Sequence, residues 1–589
     1  MINGRKWFPL TGTVSRSRGA GLAAPKTKGP VDPLTGPKLA LAGRVVTMDD
    51  AFSIIPDAIV YIEKGIISAV QDRAQPAPAG FEGVAVVETG GTLFPGLIEL
   101  HNHLSYNALP LWAPVPKLFD NRGQWPNHKD YRPLVSGPMT VLGQYRDDHG
   151  QYPLLPALVR YVECKCLLGG VTTSQGVKLA SNAGIQRFYK GIVRNVEQTD
   201  DPELPEAQGR IPDLVAKDVH SFMARLEKEN SCFLLHLSEG VTSPAKPLSE
   251  ARKHFLALEV APGQWALNKV FTGIHSAGLL PEDFAVLASH GSSMVWSPLS
   301  NLLLYGGTAR VDAARQAGVA IALGSDWSPT GSKNLLGELK VAWLHSQQAL
   351  NGLFSARELV AMATCDAARI LKWDAVAGSI ETGKRADLIV IGGAAADPYD
   401  ALIRARETDL RLVMINGIAR YGVPDVMSQL APDDQTVGVG GQTRQLFLKQ
   451  ETADPDVAQV SLSTATATLL AALHDIAKLA KATEKAQLKV PARHQLDSPA
   501  TPVWSLALDE ICSCGMELAP RLPFAGPRDF TGPVRAPRAL AKAAPPLSQI
   551  LKPVKLDPLT VADDDKFLTL ITQQPNVPGP VKNGLSGLY

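Results

Sequence analysis

The chain has 589 residues and a net charge of +1, from 58 Lys and Arg against 57 Asp and Glu. Its 45% hydrophobic and 20% charged content excludes a wholly disordered or fibrous chain, and the balanced charge gives no global field toward nucleic acid or an anionic membrane. No stretch reaches the roughly 18 apolar residues needed to span a bilayer, and six cysteines in this length form no disulfide framework, which fits a reducing, cytoplasmic compartment.

Residues 1–37 lack a continuous apolar run, so they do not read as a secretory signal. Arg5, Lys6, Arg16, Arg18, Lys26 and Lys28 precede the first acid, Asp32, and read as an irregular basic tail. From Leu39 to Glu88 short β-branched runs alternate with turns, and YIEKGIISAV predicts a hairpin turning at Lys64-Gly65. Between about 95 and 375, strand-like runs alternate with helical patterns: GLIELH, GVTTSQG, GIVRNVE, CFLLHLS, VFTGIH, MVWSP and VAIALGSD. Alternation of this kind means βαβ units, and eight over this length fit a closed (β/α)8 TIM barrel. IPDLVAK (211–217) is the candidate for the fourth strand. SARELVAMATCDAARIL reads as one helix opened by a Ser355/Glu358 capping box. Strand signals resume in GSIETGKRADLIVIG and LRLVMINGIARYG, and a helix follows from about 463. Residues 491–589 hold 15 prolines and read as an irregular extension, wrapping the body or mobile.

Four positions place metal-type ligands at the C-terminal ends of predicted strands, the barrel face where active sites form. FPGLIELHNHL offers His101 and His103, whose i, i+2 spacing points both imidazoles the same way. CFLLHLSEG offers His236 and Glu239, VFTGIHSAGL offers His275, and VAIALGSDWS offers Asp326. Singly, each histidine could be a satisfied core residue and Asp326 a helix cap; their order along successive strands argues against coincidence. Three histidines and an aspartate suit one Zn2+, or alternatively Fe2+, with an open water position. The loop after the first strand carries Tyr106, Trp112, Phe119, Trp125 and Tyr131, which could wall a pocket or pack the loop on the barrel. The C-x-C pairs Cys164/Cys166 and Cys512/Cys514 lack a second ligand pair, so neither a disulfide nor a zinc site is expected there.

These motifs resemble the metal-dependent amidohydrolase superfamily, in its cytosine deaminase/chlorohydrolase-like branch, from about Leu39 to Gly422. The resemblance rests on PGLIELHNH, HLSE, SPLSNLLL, the GSD at 324–326 and GSIETGKRADLIVI. It implies a small β-sandwich built from both flanks of the barrel. The chain would then divide into a tail (1–37), the N-terminal portion of the sandwich (38–94), the hydrolase barrel (95–375), the C-terminal portion of the sandwich (376–450), a helical extension (451–490) and a Pro-rich tail (491–589). By resemblance, His101, His103, His236 and Asp326 hold one divalent metal. Glu239 shuttles protons, His275 polarises the substrate or stabilises an oxyanion, and Asp326 also orients the nucleophile. The implied reaction is attack of a metal-activated hydroxide on a carbon-nitrogen bond, other than a peptide bond, of a small cyclic or amide-like molecule. A hydrolytic dehalogenase on the same scaffold is the alternative, and a non-catalytic scaffold a more distant one. The implied partner is a small-molecule substrate, with no nucleic acid or membrane and with room for a homo-oligomer. Because every ligand precedes residue 327, the tail from about Pro491 is expected to be dispensable for metal binding.

Overall fold

A computed structural model describes residues 30, 32–113, 115, 117–147, 152–181, 186–210, 214, 218–488, 504–507 and 545–589. Eight parallel strands occupy its centre. Leu97–Ile98, Val171–Ser174 and Arg194–Asn195 form one sheet; Gln208–Arg210, Phe233–Leu237, Phe271–His275, Ser293–Trp296 and Ala320–Leu323 form a second. Backbone bonds run between the two sheets at both sides. Ala207 N donates to Val196 O at 2.8 Å, and Leu100 N to Leu323 O at 3.4 Å. Asp326 N donates to His101 O at 3.1 Å and His103 N to Asp326 O at 3.0 Å, a parallel bridge between Asn102 and Asp326. Strands buried on both faces need near-continuous apolar runs, and FLLHL, FTGIH and SMVW are buried at every position.

Seven of the eight strands fall on the expected segments. The fourth does not: Gln208–Arg210 takes that place, beside Phe233–Leu235. Three residues without an apolar run carry no strand signal. Of the segment 211–217 only Leu214 lies within the described residues.

The flanking segments make one hydrogen-bonded, nine-stranded sheet. Strand Val86–Pro95 joins Leu39–Val46 on one side to Leu388–Gly392 on the other, so segments from both flanks of the barrel meet there. The hairpin turns at Lys64 and Gly65, both at positive φ (50° and 75°), the geometry of a tight two-residue connection. One apolar core draws on both halves, including Leu41, Val60, Leu93, Val390, Leu412 and Met414, and Met427 caps it.

The segment 355–371 is two helices, Ala356–Met362 and Cys365–Leu371. Thr364 leaves helical geometry (φ −138°, ψ −99°), and Ala363 O instead accepts from Ile98 N in the first parallel strand. The capping box of Ser355 and Glu358 is present.

The C-terminal extension, expected to be irregular, holds regular elements among its described residues. Residues 545–589 hold helices Leu547–Ile550, Phe567–Gln573 and Gly579–Leu588, and Trp504–Leu506 pairs with Lys178–Ser181. Val581, Leu585 and Leu588 recur at helical spacing and are buried, and helix Gly579–Leu588 packs on Leu335–Ala349.

Candidate active site

The six sequence-predicted site residues converge at the C-terminal ends of the first, fifth, sixth and eighth parallel strands. His101, His236, Glu239, His275 and Asp326 are buried, while His103 keeps 12% of its side chain exposed. His101 Nε2 lies 3.2 Å from Asp326 Oδ1, His103 Nε2 lies 3.4 Å from the same oxygen, and His103 Nε2 lies 3.3 Å from His236 Nε2. Donors held about 2.0–2.1 Å from a tetrahedral zinc ion stand about 3.3 Å apart. The donor set and its spacing therefore fit one such ion. His101, His236 and His275 also present ring nitrogens within 4.8 Å of one another.

Backbone geometry at the strand ends is unusual. Ser238, His275, Ser276 and Asp326 all have positive φ, between 49° and 66°. Non-glycine residues there carry strain that packing must hold, and such residues cluster at functional sites. Gly324 allows the approach of strands one and eight, because a Cβ on it would stand 2.7 Å from His101 N and O.

Hydrogen bonds fix the two kinds of imidazole differently. His101 Nδ1 lies 3.0 Å from Gln175 Oε1, which also accepts from Asn102 N, while Gln175 Nε2 donates to Glu197 Oε1 at 3.0 Å. The amide orientation makes His101 Nδ1 the protonated nitrogen and leaves a lone pair on Nε2. At His275 the polarity is reversed. Trp296 Nε1 donates to Thr308 Oγ1 at 2.8 Å, and Thr308 Oγ1 donates to Asn301 Oδ1 at 3.3 Å. Asn301 Nδ2 faces His275 Nδ1 at 3.1 Å; in this amide orientation it donates, and the neutral ring then carries its proton on Nε2.

Glu239 Oε1 accepts from Tyr305 Oη at 2.7 Å, and Tyr305 Oη accepts from Trp125 Nε1 at 2.9 Å. Glu239 Oε2 lies 3.6 Å from His275 Nε2. Burial pushes the Glu239 carboxyl up to about 7, a rise opposed by Arg122 and Tyr305 and reinforced by Asp326. Burial would also raise Asp326, but the adjacent His101, His275 and His103 outweigh it and hold that carboxyl well below its usual range. Burial holds His236 and His275 below the ordinary histidine range, with neighbouring imidazoles acting the same way, and Asp326 partly opposes this at His275.

The loop after the first strand lies across this site. Trp112 N bonds Pro329 O, Phe119 N bonds Leu304 O, and Arg122 N bonds Glu239 O. Its aromatics gather on Trp327, next to Asp326: Tyr106 and Trp125 stand 4.9 and 5.6 Å from it between ring centres, and His103 stands 5.8 Å away. The aromatic residues thus pack the loop down while forming a wall beside His103.

Sequence reasoning overlooked Gln175, Thr308, Tyr305, Trp327 and Arg122. Gln175 follows directly on a strand end and Tyr305 closes the SPLSNLLLY run, yet neither is a metal-type residue, so a search for ligands passes them by. His290 caps a helix end through Val286 O. Cys164 and Cys166 are buried free thiols, and Cys512 and Cys514 lie outside the described residues.

The amidohydrolase family model matches residues 247–425. A 5-methylthioadenosine/S-adenosylhomocysteine deaminase of Symbiobacterium thermophilum is 36% identical over 392 residues, covering 59% of this chain and 84% of the relative. This chain belongs to the amidohydrolase family. It is an amidohydrolase-type hydrolase, and its family relatives include the deaminase of the same name from Thermoanaerobacter pseudethanolicus, 27% identical over 55% of this chain and 80% of that one. Among solved structures, the zinc complex of atrazine chlorohydrolase from Arthrobacter aurescens TC1 shares the amidohydrolase fold, with a TM-score of 0.50 and 19% identity over 74% of this chain and 99% of that one. Among the described residues of this amidohydrolase no helix is long and apolar enough to cross a membrane.

Proposed function

We propose that this amidohydrolase is a mononuclear, metal-dependent deaminase. It would hydrolyse a carbon-nitrogen bond of a small cyclic molecule, and the names of its relatives favour an adenosine-type nucleoside. The observation that carries the reading is the opposite wiring of His101 and His275. A ligand imidazole needs a bare nitrogen facing the ion and a donor contact behind it, and His101 has that arrangement through Gln175. In the tautomer that Asn301 favours, His275 presents Nε2–H instead, which suits it to donate a hydrogen bond to substrate.

His101, His103, His236 and Asp326 would hold one divalent ion, Zn2+ or else Fe2+. When bound, such an ion supplies Lewis acidity that brings the pKa of a water toward about 7. Glu239 would take the water's proton on Oε2 and return it to the leaving nitrogen, since Oε1 is held by Tyr305. A carboxyl near neutrality can do both. His275 Nε2–H would donate to the substrate atom gaining negative charge, and its depressed pKa keeps it neutral for that task. Trp327, Trp125 and Tyr106 offer flat faces for a planar ring, and their packing holds bulk water away from it.

The same reading takes the eight parallel strands as one closed barrel, because backbone bonds join the two sheets at Val196–Ala207 and at His101–Asp326. It takes the nine-stranded sheet as curled around the core shared by its two halves, which would divide the chain near 38, 95, 376 and 451. Free buried thiols at Cys164, Cys166, Cys232 and Cys365 favour a cytoplasmic setting.

The test is ammonia release by the zinc-loaded protein from 5-methylthioadenosine, S-adenosylhomocysteine and adenosine, beside chloride release from a chlorotriazine. Ammonia from a nucleoside supports the proposal. Chloride release without ammonia would replace it with the dehalogenase reading.

A further inference from the structure

A buried polar chain runs from the C-terminal extension to the backbone between the two histidines of the first strand. Asp557 is 1% exposed and accepts from both Lys165 Nζ and Lys333 Nζ, the latter at 2.5 Å. Its backbone is fixed too: Asp557 N donates to Ala108 O, and Asp557 O accepts from Tyr161 Oη at 2.6 Å. Lys165 Nζ donates onward to Asn107 O at 2.9 Å and Ser328 Oγ at 2.7 Å. Asn107 Oδ1 accepts from Ser328 N at 2.9 Å, and Asn107 Nδ2 donates to Asn102 Oδ1 at 2.9 Å. Asn102 Nδ2 donates to Glu99 Oε2 and to Ser325 Oγ. Asn102 sits between His101 and His103, and Ser325 and Ser328 flank Asp326 and Trp327.

Every member of this chain is buried. Two lysines and an aspartate in an apolar interior are costly to desolvate unless their charges are met, and Asp564 supplies a second carboxylate to Lys333 at 2.8 Å. Such a network specifies one geometry rather than adding stability cheaply. What it specifies here is the spacing of the loops after strands one and eight, which carry His101, His103 and Asp326.

We propose that Asp557 is a positioning residue for the metal site, acting through Lys165, Asn107 and Asn102, and that the C-terminal extension is thereby part of the site's construction. This rests on the metal-site reading above, and it runs against the expectation that the tail is dispensable for metal binding.

The test is zinc affinity of the full chain, measured by competition with a chelating indicator, for wild type, Asp557→Asn and Lys165→Gln. Groups hydrogen-bonded directly to metal ligands are worth about 10–100-fold in affinity; Asp557 and Lys165 act one or two contacts further out, so each variant should bind zinc more weakly by about tenfold, the lower end of that range. Lys165→Gln guards against misfolding, because Asp557 keeps Lys333 as its partner. Glu484→Gln is the control: it loosens the same extension at Ser548, outside the chain of contacts, and should leave zinc affinity unchanged. A folded Lys165→Gln protein with wild-type affinity would overturn the proposal, as would an equal loss in Glu484→Gln. Wild type that binds no zinc would instead remove the metal site, and this inference with it.

Discussion

Tyr305 donates a 2.7 Å hydrogen bond to Glu239 Oε1, and both groups are buried at the mouth of the parallel strands. The bond leaves Oε2 as the oxygen facing His275 and opposes the burial that raises the carboxyl. A buried bond to an ionisable group is worth roughly 1.5–3 kcal/mol. We predict that Tyr305→Phe keeps its metal and lowers kcat by roughly tenfold, with KM little changed. Steady-state kinetics with metal analysis on the same sample check this, and an unaltered kcat would make Tyr305 a packing residue.

Removing the carboxylate itself should do more. Glu239→Gln keeps the shape and the Tyr305 contact but cannot accept a proton at neutral pH. General acid–base catalysis contributes at least about 100-fold, so kcat should fall by that factor or more while zinc stays bound. Wild-type turnover in the metal-loaded variant would overturn the role given to Glu239 without disturbing the fold.

Gly324 offers a steric test. An added Cβ would meet His101 Cβ at 2.6 Å and its backbone at 2.7 Å. Overpacking of this kind costs about 1–3 kcal/mol. Gly324→Ala should therefore lower the thermal midpoint and also reduce zinc content, since relief means moving strand one from strand eight. A variant with full zinc and unchanged melting would show that the two strands yield more easily than their backbone bonds suggest.

Glu338 supplies a pH prediction. It is fully buried and accepts from Leu299 N and Ser332 Oγ, yet burial outweighs both and pushes it up to about 8. A carboxyl raised in the folded state favours folding below its unfolded pKa of about 4.5, and that contribution is lost as pH rises through the folded value. The loss falls between about pH 4.5 and 8; from about pH 6 to 8 wild type should lose stability, and Glu338→Gln should lose less, by on the order of 2 kcal/mol. Denaturant midpoints at the two pH values decide it; equal losses in the two proteins would mean Glu338 is already ionised in the fold.

The legible part of this molecule was the part where side chain and backbone say the same thing. FLLHLSE and FTGIHS announce a buried strand ending in a histidine, so His236 and His275 could be placed from their own segments. Gln208–Arg210 could not, since its pairing is imposed by neighbouring strands rather than by its own apolar pattern. The helices of the extension are hard to see in the sequence for a related reason: prolines mask the apolar spacing of Val581, Leu585 and Leu588, and Asp557 looks like any surface acid until two buried lysines meet it. Hydrogen-bond polarity at His101 and His275 depends on Gln175 and Asn301, which are distant in sequence, so spacing alone could not show that the two rings are held differently.

Every role proposed above depends on His101, His103, His236 and Asp326 holding one divalent ion. Metal analysis of purified wild type and His236→Ala, after zinc-supplemented expression, tests it most directly. Wild type should hold about one zinc per chain and the variant less than about 0.2, with both chains folded by circular dichroism. A folded His236→Ala protein holding a full equivalent, or wild type holding none, would contradict it.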